Sequence, residues 1–169
     1  ASVAPEAVAM LNHGTTIVTN AVLEGNLAPT ALIVTKGFRD VLEIGRHLRP
    51  DMYDLNQDKP KPIVPRDLRF EVEERMAPDG TVVTPLNAET VTAAIAALKA
   101  TDVSAVAVSF LHAYANPEHE AMVKEALSKA LPDIDITVST DICREIREFE
   151  RTSTVVLNAA ATPGMSRYL

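Results

Sequence analysis

Two polar segments of this 169-residue chain carry residue types that bind or transfer charged groups. The first is His13-Gly14-Thr15-Thr16, which lies where an apolar run gives way to a helical pattern that includes Asn20. Free backbone N–H groups, the positive end of the helix and two hydroxyls would suit a phosphate or carboxylate oxygen there, and Gly14 would let the backbone approach it. An N-cap threonine beside an ordinary hydrogen-bonding histidine would explain the same residues.

The second segment, residues 145–154, begins the last predicted helix. Its Glu150 lies beside apolar positions, so the pKa of this carboxyl would rise unless a partner stabilises the charge. Arg147, three residues earlier, or Arg151 would serve as that partner within the helix. A solvated helix would explain the charges, but the run Thr152-Ser153-Thr154 is unusual on an exposed helix. The predicted apolar face consists of Ile146, Phe149, Ser153 and Leu157.

The other candidate residues support weaker interpretations. Arg46 and Arg49 stand before a proline-stiffened loop and would clamp an anionic substrate, although ordinary surface charges would look the same. His112 and His119 lie seven residues apart without a third ligand, so no metal site is expected. Cys143 would be either a stabilised thiolate or a buried inert thiol. No Walker loop, nucleophile elbow or dinucleotide fingerprint occurs.

The elements that must position these residues alternate between strand and helix patterns, which predicts an α/β domain with a mixed or mostly parallel sheet and flanking helices. Helix patterns cover 16–23, 38–44, the residues after Asn87, 117–130 and the segment from 145, and strand patterns cover 8–11, 31–35, 103–110 and 134–139. The last two strands and the helix between them form a predicted βαβ unit.

A hairpin is predicted within an insertion at about 66–85, with arms at 68–73 and 81–84 around Pro78-Asp79-Gly80. Residues 46–65 contain four prolines and predict a long loop. We expect residues 1–169 to form a single domain.

Composition excludes several classes of function. The formal net charge of −7 argues against binding to nucleic acid or to an anionic membrane. No apolar run approaches the length needed to span a bilayer. The single cysteine is typical of a reducing compartment, so we expect a cytoplasmic protein.

Several longer motifs resemble the hydantoinase/5-oxoprolinase family. Residues 13–24 (HGTTIVTNAVLE) are similar to its HGTT-x-x-TNA-x-LE segment, and 35–46 with 49–55 are similar to its next motif. Residues 109–120 (SFLHAYANPEHE) resemble its S-x-LHSYANPxHE segment, with Ala113 where serine is usual. Residues 145–154 (EIREFERTST) resemble its EIREYERTST run, with Phe149 in place of tyrosine.

The resemblance implies an enzyme related to actin-type and sugar-kinase ATPases, which uses ATP and Mg²⁺ to phosphorylate a carbonyl oxygen and then opens a cyclic amide. It places an active-site loop at His13, Gly14, Thr15, Thr16 and Asn20. The second motif would add Glu150, Arg151, Thr152 and Ser153, with Arg151 stabilising negative charge and Glu150 orienting it. Arg46 and Arg49 would contact a substrate carboxylate.

The family's Gly-rich nucleotide-binding loop is not found in this sequence. The resemblance therefore implies one domain of a longer protein, inactive by itself, that works with a second subunit of the hydantoinase B type. Two alternatives remain open. The first is a β-subunit of an acetone-carboxylase-like enzyme, and the second is a non-catalytic module for structure and subunit interaction.

Overall fold

The computed structural model describes Met10, residues 14–46, Tyr53 and residues 60–168. The helices of this part are α1 (Ile17–Glu24), α2 (Val41–Ile44), α3 (Ala88–Leu98), α4 (Glu118–Ala130), α5 (Ser139–Ile142) and α6 (Glu148–Tyr168). The strands are β1 (Thr30–Thr35), β2 (Arg69–Val72), β3 (Arg75–Met76), β4 (Val82–Thr84), β5 (Ala105–Ser109) and β6 (Asp135–Val138). The predicted strand at 8–11 and most of the predicted loop at 46–65 lie outside the described residues.

The main sheet has four parallel strands in the order β2-β1-β5-β6. Between one strand of this sheet and the next along the chain lies a segment that contains a helix or the hairpin. Parallel strands need such crossovers, and the helices then cover the faces of the sheet. The α/β class and the βαβ unit β5-α4-β6 are therefore confirmed.

Two apolar layers enclose the sheet because its side chains alternate between its faces. Ile33, Val106 and Val108 pack with residues of α3 and α4 on one face. The other face packs against α6, and its cluster consists of Leu32, Val34, Val64, Ala105, Ala107, Val155, Val156 and Ala159. Strands buried on both faces are expected to be continuously apolar, which explains why β1 and β5 were predictable.

The predicted hairpin has a different first arm in the structure. Residues 69–72 form β2, which pairs in parallel with β1, whereas the hairpin joins β3 to β4. Alternation with period two identifies a half-buried strand but not its partner, so the sequence pattern led to the wrong pairing. The predicted turn is present, because Gly80 has a φ of 86° and Asp79 accepts a hydrogen bond from the Thr81 N–H at 2.9 Å.

The long helix α6 begins three residues later than predicted and buries another face. Ile146 precedes the helix and is 64% exposed, so the predicted apolar face is wrong. The buried positions are Arg151, Thr152, Val155, Val156, Ala159 and Ala160. Apart from Arg151, these are small or β-branched side chains, which allow a helix to approach a sheet closely.

Helix α3 begins at the predicted N-cap. The Asn87 side chain accepts hydrogen bonds from the N–H groups of Glu89 at 2.9 Å and Thr90 at 3.4 Å. We expect Asn87→Ala to lower the free energy of unfolding by about 1 kcal/mol, because these helix donors would lose their acceptor. Asn87→Ser keeps a capping oxygen and should cost much less. Urea denaturation of both variants checks this, and equal losses would contradict it.

Candidate functional site

The site is built around the carboxyl ends of the two central strands. From β1 the chain continues to β2 on one side, whereas β5, on the other side of β1, continues to β6. Connections that leave in opposite directions open a crevice between the strand ends, and ligands of open α/β sheets bind there. In this chain the crevice lies between the residues after Thr35 and those after Ser109.

The loop after β5 is fixed by three buried side chains. Glu120 accepts a hydrogen bond from the Phe110 N–H at 2.9 Å, and the Thr35 hydroxyl accepts one from the Leu111 N–H at 2.8 Å. Arg151 donates from Nη2 to the Phe110 carbonyl at 2.6 Å. A backbone segment bonded from three elements holds a defined position, which a binding site requires.

Arg151 is the buried cation of the crevice, with 0% of its surface exposed. Its Nη1 donates to the Glu145 carbonyl at 3.1 Å, and its guanidinium lies 5.5 Å from the centre of the Tyr114 ring. Its Nε–H has no hydrogen-bond partner among the described residues. A buried donor without an acceptor is costly, so this nitrogen marks a position for a ligand or water oxygen.

A small cleft with room for about one oxygen atom adjoins Arg151. Its polar lining comes from Ser109, Glu148, Arg151 and Thr152. The hydroxyl oxygens of Ser109 and Thr152 lie 2.8 Å apart, which links the end of β5 to the first turn of α6. The cleft therefore combines a cationic donor, hydroxyl groups and a carboxylate around one oxygen-sized space.

A row of polar groups continues from the cleft to the surface. The Glu148 carboxylate lies 4.0 Å from Nη2 of Arg151 and 3.8 Å from Nδ1 of His112. The Tyr114 hydroxyl lies 3.3 Å from the same Nδ1. His112, with a φ of 56°, and Arg147, with a φ of 79°, are the described non-glycine residues in the positive-φ region. Such conformations concentrate at functional sites.

A second histidine is buried beside the crevice. Nδ1 of His119 lies 2.8 Å from the Glu74 carboxylate, which also accepts a hydrogen bond from the Thr35 hydroxyl. The sequence interpretation considered His112 and His119 only as metal ligands and missed both roles. For His112, the position three residues after β5 was the available signal, because the strand order brings the ends of β1 and β5 together.

Glu120 is fully buried at the start of α4. It accepts hydrogen bonds from the Ser139 hydroxyl at 2.6 Å and the Thr140 N–H at 2.9 Å, besides the Phe110 N–H. Burial raises the pKa of the Glu120 carboxyl, and these hydrogen bonds oppose that change. The residue ties three segments together at the carboxyl edge and has no surface of its own for a ligand.

The structure gives Glu150 another partner than the sequence interpretation did. Its carboxylate pairs with Arg46 and not with Arg147 or Arg151, and Arg151 is oriented by backbone carbonyls instead. The pKa of Glu150 is lowered by its own backbone N–H and then by Arg46. Adjacent helix positions face different directions, so Glu150 lies near the surface while Arg151 is buried.

The two predicted groups of site residues do not meet. Gly14, Thr15, Thr16 and Asn20 are exposed, and Thr15 rather than Thr16 accepts a hydrogen bond from the Ile17 N–H, at 3.3 Å. Helix α1 and the last turns of α6 line a cavity of about 270 Å³ that includes Pro29 and Ser104, at the amino ends of β1 and β5. Arg151, Thr152 and the half-buried Ser153 lie at the carboxyl ends. His13 and Arg49 lie outside the described residues.

No group of three or more His, Cys, Asp or Glu side chains among the described residues could hold a metal ion. No helix in residues 14–46 or 60–168 has the length and hydropathy needed to cross a bilayer.

The fold defines a doubly wound α/β domain with a polar crevice at its switch point. A family model described as the hydantoinase/oxoprolinase N-terminal region matches residues 1–131. The chain belongs to the hydantoinase/oxoprolinase family.

The chain is similar to several longer proteins. An uncharacterised protein of Methanocaldococcus jannaschii is 45% identical over 95% of the chain, which spans 24% of that protein. Caprolactamase subunit alpha of Pseudomonas jessenii is 36% identical over 93% of the chain and 23% of that subunit. The acetone carboxylase beta subunit of Xanthobacter autotrophicus is 33% identical over 92% of the chain and 24% of that subunit.

Solved structures share the fold. The crystal structure of ATP-dependent caprolactamase from Pseudomonas jessenii superposes with a TM-score of 0.86 at 36% identity, over 92% of this chain and 23% of that one. The nucleotide-free structure of acetone carboxylase gives a TM-score of 0.78 at 32% identity, over 89% of this chain and 23% of that one. The chain thus spans about a quarter of the length of these relatives.

Proposed function

We propose that this domain belongs to a larger ATP-dependent enzyme that opens a cyclic amide, and that the domain is inactive by itself. The family and its ATP-dependent caprolactamase relative support the reaction class. The observation that carries the site is the buried Arg151, which lines an oxygen-sized cleft at the switch point and whose Nε–H has no partner among the described residues. Such a donor suits the carbonyl oxygen of an amide.

Arg151 and a pair of hydroxyl groups would hold the carbonyl oxygen in the cleft. Arg151 keeps its orientation through the carbonyls of Phe110 and Glu145, which leaves Nε–H as its donor toward a ligand. The hydroxyl pair of Ser109 and Thr152 supplies a second polar contact at the same place. The buried cation would stabilise negative charge that develops around this oxygen during the reaction.

The crevice does not fit ATP. The cleft accommodates about one oxygen, and the described residues offer no cluster of metal ligands for Mg²⁺. We therefore assign ATP and Mg²⁺ to other parts of the enzyme. When bound, ATP supplies the phosphoryl group that activates the carbonyl. Since the reaction consumes ATP, we place the enzyme in the cytoplasm.

The remaining predicted residues are assigned separate, secondary roles. Helix α1, which follows Thr16 and contains Asn20, lies near the amino ends of β1 and β5, whereas Arg151 lies at their carboxyl ends. We therefore keep His13, Gly14, Thr15, Thr16 and Asn20 as a separate candidate for phosphate contact. Arg46 is paired with Glu150, and with Arg49 it remains a candidate for a substrate carboxylate. Ser153 follows the hydroxyl of Thr152 on α6 and would extend the polar surface.

A carboxylase is the second candidate reaction. The acetone carboxylase structure matches 89% of the chain, so the fold serves enzymes with a ketone substrate as well. An activated carbonyl oxygen is common to both reactions, and the cleft would hold it in either case. Several relatives are named as enzyme subunits, and we propose a second subunit of the hydantoinase B type as the partner.

A non-catalytic role in subunit contact is the third candidate. Val82 and Val83 of the hairpin are 45% and 63% exposed, and adjacent exposed valines suit a protein contact. Cross-links from a co-purified partner that concentrate on the hairpin would support this role. Cross-links confined to other parts of the complete protein would count against it.

Product analysis tests the proposed reaction. The complete protein and its partner subunit would be incubated with Mg-ATP and, separately, hydantoin, N-methylhydantoin, 5-oxoproline, caprolactam, and acetone with bicarbonate. We expect a ring-opened acid from at least one cyclic amide. A carboxylated ketone alone would favour the second candidate, and no product from a folded, ATP-binding complex would reject both.

A further inference from the structure

His112 has an imposed position at the mouth of the crevice. It lies three residues after β5, in the loop that Glu120, Thr35 and Arg151 fix through backbone hydrogen bonds. Its φ of 56° is uncommon for a residue with a side chain, although histidine tolerates it better than most. A conformation of this kind persists when the surrounding structure imposes it, and here the hydrogen bonds to the loop do so.

The ring of His112 is oriented by two neighbours through one nitrogen. Nδ1 faces the Tyr114 hydroxyl at 3.3 Å and the Glu148 carboxylate at 3.8 Å. The two aromatic rings also meet edge to face, with their centres 5.8 Å apart at an angle of 89°. Both neighbours contact Nδ1, so they orient the ring through this nitrogen and leave Nε2 as the one that would face a ligand.

The charged side chains near the His112 ring come from α6 and from the segment that precedes it. Glu148 of α6 faces it directly, and Arg151 of the same helix lies behind Glu148. Arg144, before α6, donates to the Tyr114 carbonyl at 2.8 Å. The side chain of His112 is 22% exposed, so a ligand seated over the cleft can reach the ring.

We propose that His112 is the acid–base group of this crevice, with Glu148 as the positioning residue for its imidazole. The inference rests on the proposed opening of a cyclic amide and adds the group that moves the proton. The supporting observation is the row Arg151, Glu148 and His112, which runs from the oxygen-sized cleft to the loop surface. His112 is not among the residues that line the cleft, so a water or the substrate seated over the cleft would carry the proton to the ring.

The step assigned to His112 is the proton transfer of ring opening, after the carbonyl has been activated. One O–H bond of a water breaks, its electron pair forms the new C–O bond, and the π pair of the activated group moves from the carbon onto the ring nitrogen. The released proton binds the imidazole of His112. The C–N bond then breaks with its pair on nitrogen, that nitrogen takes the proton from the imidazole, and the new hydroxyl group becomes the carbonyl as it gives its proton to solvent. The imidazole ends as it began.

The test uses the complete protein with its partner subunit, Mg-ATP and the cyclic amide that it opens. We expect His112→Asn to lower kcat for ring opening by about 10²–10⁴-fold with KM changed only a few-fold. Asparagine accepts the positive φ, so the loop should keep its conformation, which thermal unfolding would verify. His112→Gly leaves space at the ring position, and added imidazole should restore part of its activity.

A pair of carboxylate variants separates positioning from general damage. Glu148→Gln should lower kcat about 10-fold and change its pH profile. The control, Glu125→Gln, alters an exposed carboxylate that pairs with Lys129 on α4 and should leave kcat unchanged. Suppose that the wild-type protein opens an amide, that His112→Asn keeps its kcat within about 3-fold, and that imidazole has no effect on His112→Gly. The role of His112 is then rejected, and the proposed function stands. If the wild type opens no cyclic amide, both are rejected.

Discussion

Replacing Arg151 with methionine should lower the free energy of unfolding by about 2–4 kcal/mol. The substitution removes the donors to the buried Phe110 carbonyl and to the Glu145 carbonyl, which the guanidinium reaches at 2.6 and 3.1 Å. Among the described residues, the Phe110 carbonyl then keeps only the longer hydrogen bond from the Ala113 N–H, at 3.3 Å. It also removes the contact with the Tyr114 ring. Methionine fills much of the same volume, so a loss of this size would report on the polar contacts and not on a cavity.

Urea denaturation of the chain measures this loss. The matched control is Arg167→Met on the same helix, because Arg167 is exposed and bonds only to the Pro163 carbonyl in the preceding turn among the described contacts. Its unfolding free energy should stay within about 0.5 kcal/mol of the wild type. A change below about 1 kcal/mol in Arg151→Met would contradict the central place that we give this residue.

Replacing Glu120 with alanine should destabilise the domain by about 3–5 kcal/mol. Three donors would lose their acceptor at once, namely the N–H groups of Phe110 and Thr140 and the hydroxyl of Ser139. Glu120→Gln should cost less, because its amide oxygen still accepts while its NH₂ group faces another donor. Equal costs for the two variants would show that volume and not hydrogen bonding explains the loss.

The same residue predicts a dependence on pH. Since burial raises the pKa of Glu120 above its unfolded value of 4.5, the folded state holds the proton more tightly than the unfolded state. The contribution of this group to stability is therefore complete below the unfolded pKa and is lost as the pH rises through the folded pKa. The stability of the wild type relative to Glu120→Gln should fall as the pH is raised from below 4.5 toward neutral. A difference that grows over this range would contradict the direction.

Much of the fold could be predicted because it follows from local patterns. The apolar strands β1 and β5, the cap at Asn87 and the turn at Gly80 each depend on residues within one element. The pairing of residues 69–72 could not be predicted, since their alternation suits an edge strand of the main sheet as well as a hairpin arm.

The candidate site was harder to predict than the fold. Arg151 was singled out, but its burial depends on β5 and its loop lying beneath α6, and no helical pattern contains that information. The partnership of Glu150 with Arg46 joins positions 104 residues apart. His112 and Glu148 come together only because the loop after β5 meets the start of α6. Strand order decides these contacts, and the sequence offers no direct record of it.

Phosphate release that depends on substrate is the most direct test of the central claim. The complete protein, with its partner subunit and Mg-ATP, would be assayed with and without each cyclic amide, alongside Arg151→Lys. The account predicts that one cyclic amide stimulates phosphate release and ring opening together, and that Arg151→Lys, if folded, reduces both. Phosphate release unaffected by every cyclic amide, or unaffected by the loss of the Arg151 Nε–H, would contradict it.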